Sequence, residues 1–219
     1  MSKPELSAAI QDYLKEIYKL QATGSRATTS AIAKQMEVAP SSVTSMLKKL
    51  AALGLVDHAP YRGVTLTDAG REIALEVIRH HRLLEQYLAE TLGVGIDAVH
   101  AEADRLEHVL SDELEARIDK VLGYPTHDPH GDPIPDAGLA YDQTELRPLN
   151  ELEPGEKATV RRVPDGDAAL LRYLTTLTLV PGRLVEMRSS EPFGGPLTVA
   201  VGGSEHAISR ELACQIGVA

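Results

Sequence analysis

Across one proline-rich segment the hydrophobic period of this chain changes from that of helices to that of strands. Before it, Leu6, Ile10, Tyr13, Leu14, Ile17 and Leu20 recur at steps of three and four, the spacing of an amphipathic helix. After it come short β-rich runs, KATVRRV, RLVEMRS and PLTVAVG, with a short helical stretch, DAALLRYLTTL, between the first two. The segment itself, YPTHDPHGDPIPDAGLAYDQTE (124–145), holds four prolines and two glycines and has no apolar period. It reads as a stiff linker. A chain divided in this way is expected to be α+β, and 219 residues accommodate two or three modules.

The helical half has an order of its own. A short helix near residues 30–36 follows the first, and a turn at Val38 and Ala39 leads into PSSVTSMLKKLAAL, which opens on Pro40 and stops at Gly54. Two short strands, 55–59 and 64–67, flank the turn at 60–63. Thr67 then caps a long helix reaching Gly93, and a fifth helix is expected over about 97–122. Helix, short helix, turn, helix and hairpin is the order of a winged helix-turn-helix. The expected modules are a winged head (1–75), a helical body with the proline-rich linker (76–140) and a small SH3-like β-barrel (146–219).

The third helix carries small polar residues where a major groove would be read: Ser41, Ser42, Thr44 and Ser45. Lys48, Lys49 and the wing residue Arg62 are placed to meet phosphates. A structural bundle or a protein-binding winged helix would show much of the same pattern. Charge is divided along the chain. Residues 1–75 net +2, whereas the whole chain nets −10, so the body is strongly acidic. A mildly basic head on an acidic body fits DNA contact through the head, strengthened when something cationic offsets the body.

The body supplies candidates for that cation. At about 100° per residue, His100, Asp104, Glu107 and His108 share one arc of the expected fifth helix. His81 and Glu85 lie one turn apart on the fourth. Imidazoles and carboxylates stacked in this way are costly to bury without a cation. His58, His80 and His206 read as ordinary residues, and His127 and His130 as unsupported linker histidines. Nothing in the sequence spans a membrane or reads as a signal peptide, and Cys214 is the only cysteine. The cytoplasm is the expected compartment.

QDYLKEIY, PSSVTSMLKKL, YRGVTLTDAG, HHRLLEQYL, HAEADRLEHVLSDELE and PHGDPIP together resemble the diphtheria toxin repressor family, in its manganese-responsive branch with a C-terminal SH3-like, FeoA-like domain. The resemblance implies a homodimeric repressor of metal-uptake genes, not an enzyme, that binds double-stranded DNA at a palindromic operator when metal orders its first helix. It implies a primary metal site at Asp12, Asp104, Glu107 and His108. It also implies a second at His81, Glu85 and His100, completed by Asp165 with Asp167 in reserve; a glutamine usual in the third domain is replaced by Ala168. Iron-responsive relatives carry Met and Cys where Asp12 and Asp104 stand, so hard oxygen donors favour manganese(II), with iron(II) the second choice. Lys15 stands where a binuclear relative has a ligating Glu, and an ammonium has no lone pair to offer. The competing readings are a metallohydrolase using the His/Asp/Glu cluster and a metal-buffering protein.

Overall fold

The computed structural model describes residues 6–22, 24, 26–59, 63–141 and 144–219. They form two compact units. Unit 1 comprises residues up to His80 with Glu107–Leu110 and Pro135–Ala140. It contains α1 (Ala8–Ala22), α2 (Thr29–Gln35), α3 (Pro40–Ala52), the hairpin β1 (Val56–Ala59) and β2 (Gly63–Leu66), and the start of α4 (Asp68–Leu92). Ile10, Leu14 and Ile17 of α1 and Val43, Leu47 and Leu50 of α3 are buried with Ile32 and Val64. Thr28 caps α2 by accepting from the Ala31 amide. The turn into α3 runs through Glu37 at φ 54. β1 and β2 pair antiparallel from Val56↔Leu66 to Ala59↔Gly63. Gly70 lets α4 pass the start of the hairpin, since a Cβ there would lie 2.0 Å from the Leu55 carbonyl oxygen.

Unit 2 holds the rest of α4, α5 (Val99–Leu106), α6 (Asp112–Val121) and all residues from Tyr141 onward that are described. Its sheet contains β3 (Arg147–Pro148), β4 (Lys157–Arg162), β5 (Leu184–Ser190), β6 (Leu197–Val201), β7 (Ser204–Ile208) and β8 (Gly217–Val218). The strand order is β3-β8-β4-β5-β6-β7, with every pairing antiparallel. Alternate residues of β6 (Leu197, Val199 and Val201) face the core, as a strand with one buried face requires. Leu171 and Leu174 of α7 (Ala168–Thr176) complete that core. The last helix is the short α8 (Arg210–Ala213).

Two expectations change. The helix anticipated over 97–122 is broken: α5 ends at Leu106, residues 107–109 form a turn, and α6 starts at Asp112. Ser111 caps α6 by accepting from the Leu114 amide, and Asp112, Glu113 and Glu115 occupy its positive first turn. Leu106, the last residue of α5, is 41% exposed. The proline-rich segment is also more than a linker. Residues 126–134 close on themselves through the His127↔Pro133 bridge and the Ile134 amide donating to the Thr126 carbonyl.

Candidate metal centres and candidate nucleic-acid interface

Because the helix breaks, the donor stripe divides into separate clusters. In unit 1, Glu107 and His108 lie on the 107–109 turn and meet Asp12 of α1. His108 Nε2 is 2.9 Å from Asp12 Oδ1 and 3.3 Å from Glu107 Oε1. The opposite ring nitrogen, Nδ1, donates to Gln11 Oε1 at 2.6 Å. With Nδ1 so engaged, Nε2 is the ring nitrogen that faces the two carboxylates, an arrangement that a bound cation fits. Glu107 is 1% exposed and receives the Lys15 ammonium at 2.5 Å. Burial pushes the Asp12 carboxyl up from its ordinary value, against the opposing pull of His108 and Lys15. Gln11 had no signal of its own in the sequence; only its position beside Asp12 could have drawn notice.

In unit 2, His81 Nε2, His100 Nδ1 and Glu85 Oε1 stand 3.0 Å from one another. Two ring nitrogens and a carboxylate oxygen at mutual hydrogen-bond distance again fit a shared cation. Asp104, implied by resemblance as a primary ligand, lies 3.3 Å from His81 Nδ1 and 3.7 Å from His100 Nε2. Asp165 Oδ2 is 3.9 Å from His100 Nδ1. Asp167, the reserve, has another task, since its carboxylate caps α7 by accepting from the Ala169 and Leu170 amides.

The sequence reading missed two residues here. Asp128 and His130 of the 126–134 loop are buried beside Glu85, and His130 Nδ1 is 3.6 Å from Glu85 Oε2. His130 Nε2 donates to the Ile96 carbonyl at 2.9 Å, which turns Nδ1 inward. Glu85 Oε2, Asp128 Oδ2 and His130 Nδ1 are buried without a hydrogen-bond partner, a costly arrangement unless a charge joins them. Burial would raise the Glu85 carboxyl, but the imidazoles of His100, His130 and His81 hold it well below the carboxylate range. Burial, Glu85 and Asp132 push Asp128 up. Burial alone would lower His130, yet Glu85 and Asp128 outweigh it and push it up to about 9. Oxygen and imidazole donors are the chemistry of manganese, iron and zinc sites, so both clusters fit a divalent ion.

On α3, Ser41, Ser42, Thr44, Ser45, Lys48 and Lys49 are all exposed, with Val43, Leu47 and Leu50 on the buried side. Thr44 and Ser45 donate their hydroxyls to the Pro40 and Ser41 carbonyls, leaving oxygen lone pairs outward. Arg62 lies outside the described residues.

Comparison with known proteins follows this division. Residues 5–64 match the iron dependent repressor N-terminal DNA binding domain. Residues 67–136 match the iron dependent repressor metal binding and dimerisation domain, and 147–219 match the FeoA domain. The iron-dependent repressor IdeR of Mycobacterium bovis is 33% identical over 227 residues, covering 98% of both chains. This chain belongs to the diphtheria toxin repressor family. The diphtheria toxin repressor of Corynebacterium efficiens is 38% identical over 69% of this chain and 68% of its own. A solved manganese-dependent transcriptional repressor in complex with manganese is 39% identical, covers 95% of this chain and 98% of its own, and has a TM-score of 0.87. Members of this family are metal-dependent transcriptional repressors, so the metallohydrolase alternative falls away. Among the described residues no helix is long and apolar enough to cross a membrane.

Proposed function

We propose that this family member is a cytoplasmic, homodimeric repressor of metal-uptake genes, activated by manganese(II), with iron(II) the second choice, to bind a palindromic operator. The observation carrying this reading is the His108 ring, turned by Gln11 so that Nε2 faces Asp12 and Glu107. Asp12, Glu107 and His108 are the proposed ligands of one ion. His81, Glu85, His100 and Asp165 are those of a second, beside Asp128 and His130. Asp104 is proposed as a ligand on the resemblance and on its contact with two imidazoles. When bound, a divalent cation would add positive charge between the two carboxylates and the imidazole that meet here. Asp12 then ties α1 to the 107–109 turn. Gln21 of α1 also donates to the Val64 carbonyl of β2, so holding α1 holds the wing strand. Selecting one arrangement of the head from an ensemble in this way is the physical content of activation.

Oxygen donors at Asp12 and Asp104, in place of the sulfur donors of iron-responsive relatives, support manganese, as does the likeness to the manganese-dependent repressor. The test is a titration of manganese(II), iron(II) and zinc under anaerobic conditions. The readout is binding to duplexes selected from random DNA in the presence of metal. Activation by manganese at lower free concentration than by iron is expected; equal DNA affinity in chelator and in saturating manganese rules the reading out.

Lys48 and Lys49 are exposed at the end of α3 and are proposed phosphate contacts. Lys48→Ala and Lys49→Ala should each weaken binding to all sequences alike and lower the logarithmic salt slope by about one. Affinity measured against salt on two unrelated duplexes checks this. A loss confined to one sequence would mean base readout instead.

A further inference from the structure

The Lys15 contact says more about the first centre than the ligand set does. Asp12 and Lys15 stand three residues apart on one face of α1, so both reach the 107–109 turn. A lysine is almost never fully buried unless paired. Lys15 is 8% exposed, and its ammonium donates to Glu107 Oε1 at 2.5 Å. That same oxygen lies 3.3 Å from His108 Nε2. The oxygen that faces the ligand set is therefore already paired with a positive charge.

We propose that the Lys15 ammonium is a resident cation of the first centre, which competes with divalent metal for Glu107 and so sets the metal concentration at which the protein responds. The inference rests on the reading of Asp12, Glu107 and His108 as metal ligands. Lys15 cannot itself ligate, having no lone pair when charged. It cancels one of the two carboxylate charges, leaving a net −1 for an incoming ion in place of −2. Its bond also fastens α1 to the turn by the chain's own means. Lys15 thus trades metal affinity for order in the metal-free protein, and it disfavours a second divalent ion at this place.

The test measures manganese(II) binding by isothermal titration, and melting temperature with and without manganese, on the full chain stripped with chelator. The variants are Lys15→Met, Lys15→Gln, Lys15→Arg and Glu107→Gln. An ammonium a few ångströms from a divalent ion is worth about tenfold in affinity even at the dielectric of water. Lys15→Met and Lys15→Gln should therefore bind manganese at the Glu107-dependent site about tenfold more tightly. They should melt lower without metal and gain more on adding it, whereas Lys15→Arg stays close to wild type. Unchanged or weaker manganese binding in both neutral variants, while Glu107→Gln loses that site, overturns the proposal and leaves the metal site standing. Full manganese binding by Glu107→Gln instead overturns the site reading beneath it. If neither neutral variant folds, Lys15→Arg decides: it keeps the charge, so a tenfold rise in its affinity would overturn the proposal.

Discussion

Glu107→Ala should abolish metal-dependent operator binding, while His81→Ala should weaken it and leave a response. Glu107 is 1% exposed, and its carboxylate lies within 3.3 Å of both His108 and Lys15. Removing it takes a donor from the only proposed centre that includes α1, so the coupling between metal and head goes with it. Coupling energies between sites run at about 1–3 kcal/mol, which is about 5–150-fold in operator affinity between metal-loaded and metal-free protein. Glu107→Ala is expected to lose that whole factor. His81 belongs to the other cluster, with Glu85 and His100, and none of these residues lies on α1. Its loss should weaken the second ion and leave Asp12, Glu107 and His108 to respond. Operator affinity of wild type and both variants across a manganese titration gives the answer. A His81→Ala protein as unresponsive as Glu107→Ala would remove this hierarchy, and a normal response in Glu107→Ala would move the primary centre elsewhere.

Gly131→Ala should unseat the loop that carries Asp128 and His130. Gly131 has φ +93, and a Cβ there would fall 1.8 Å from the Arg161 carbonyl oxygen of β4. Both the backbone conformation and the close approach are closed to alanine. The neighbouring bonds would go together: the Val163 amide donates to the His130 carbonyl, Arg82 donates to the Pro133 carbonyl, and Asp128 accepts from the His130 and Asp132 amides. A clash against backbone, added to a strained φ, is expected to cost about 3 kcal/mol. In a chain of this size that lowers the melting temperature by roughly 5–10 °C. Metal binding at the Glu85 cluster should weaken, because His130 and Asp128 leave Glu85, while binding at Asp12, Glu107 and His108 persists. Thermal melts and metal stoichiometry of Gly131→Ala would show this. An unchanged melt would mean that the loop is not held as described.

The winged head was legible because its evidence is local. The apolar stripes of α1 and α3, the proline opening α3 and the hairpin pattern each lie within one short window of sequence. The structure returns Val43, Leu47 and Leu50 as the buried side of α3 and the serines and lysines as the exposed one. The period-2 runs of the last module became β4, β5 and β6 for the same reason. The pair His81 and Glu85 was also visible, since i, i+4 spacing on α4 needs no knowledge of the rest of the chain, and His100 was visible on the stripe of the following helix.

What sequence periodicity could not decide was where a regular pattern stops. HAEADRLEHVLSDELE continues a helical stripe through residue 108, but Ser111 and the three acidic residues after it start a new helix, and the turn before it sends Glu107 and His108 to Asp12. The capping serine was present in the sequence; its meaning depended on the competition between extending one helix and capping another. His130 was set aside because a proline-rich segment offers no frame of its own. The frame is tertiary: the Arg82 guanidinium, the Ile96 carbonyl and the bare Cα of Gly131 against Arg161 hold the loop so that His130 reaches Glu85. Asp165 and Asp167 were two acids in one short run, separable only when the start of α7 claimed Asp167 as its cap and left Asp165 beside His100. Residue type and spacing determined which chemistry this chain carries. Which donors come together depends on contacts between residues up to about a hundred positions apart, such as Asp12 with His108, and only the packing of the elements sets those.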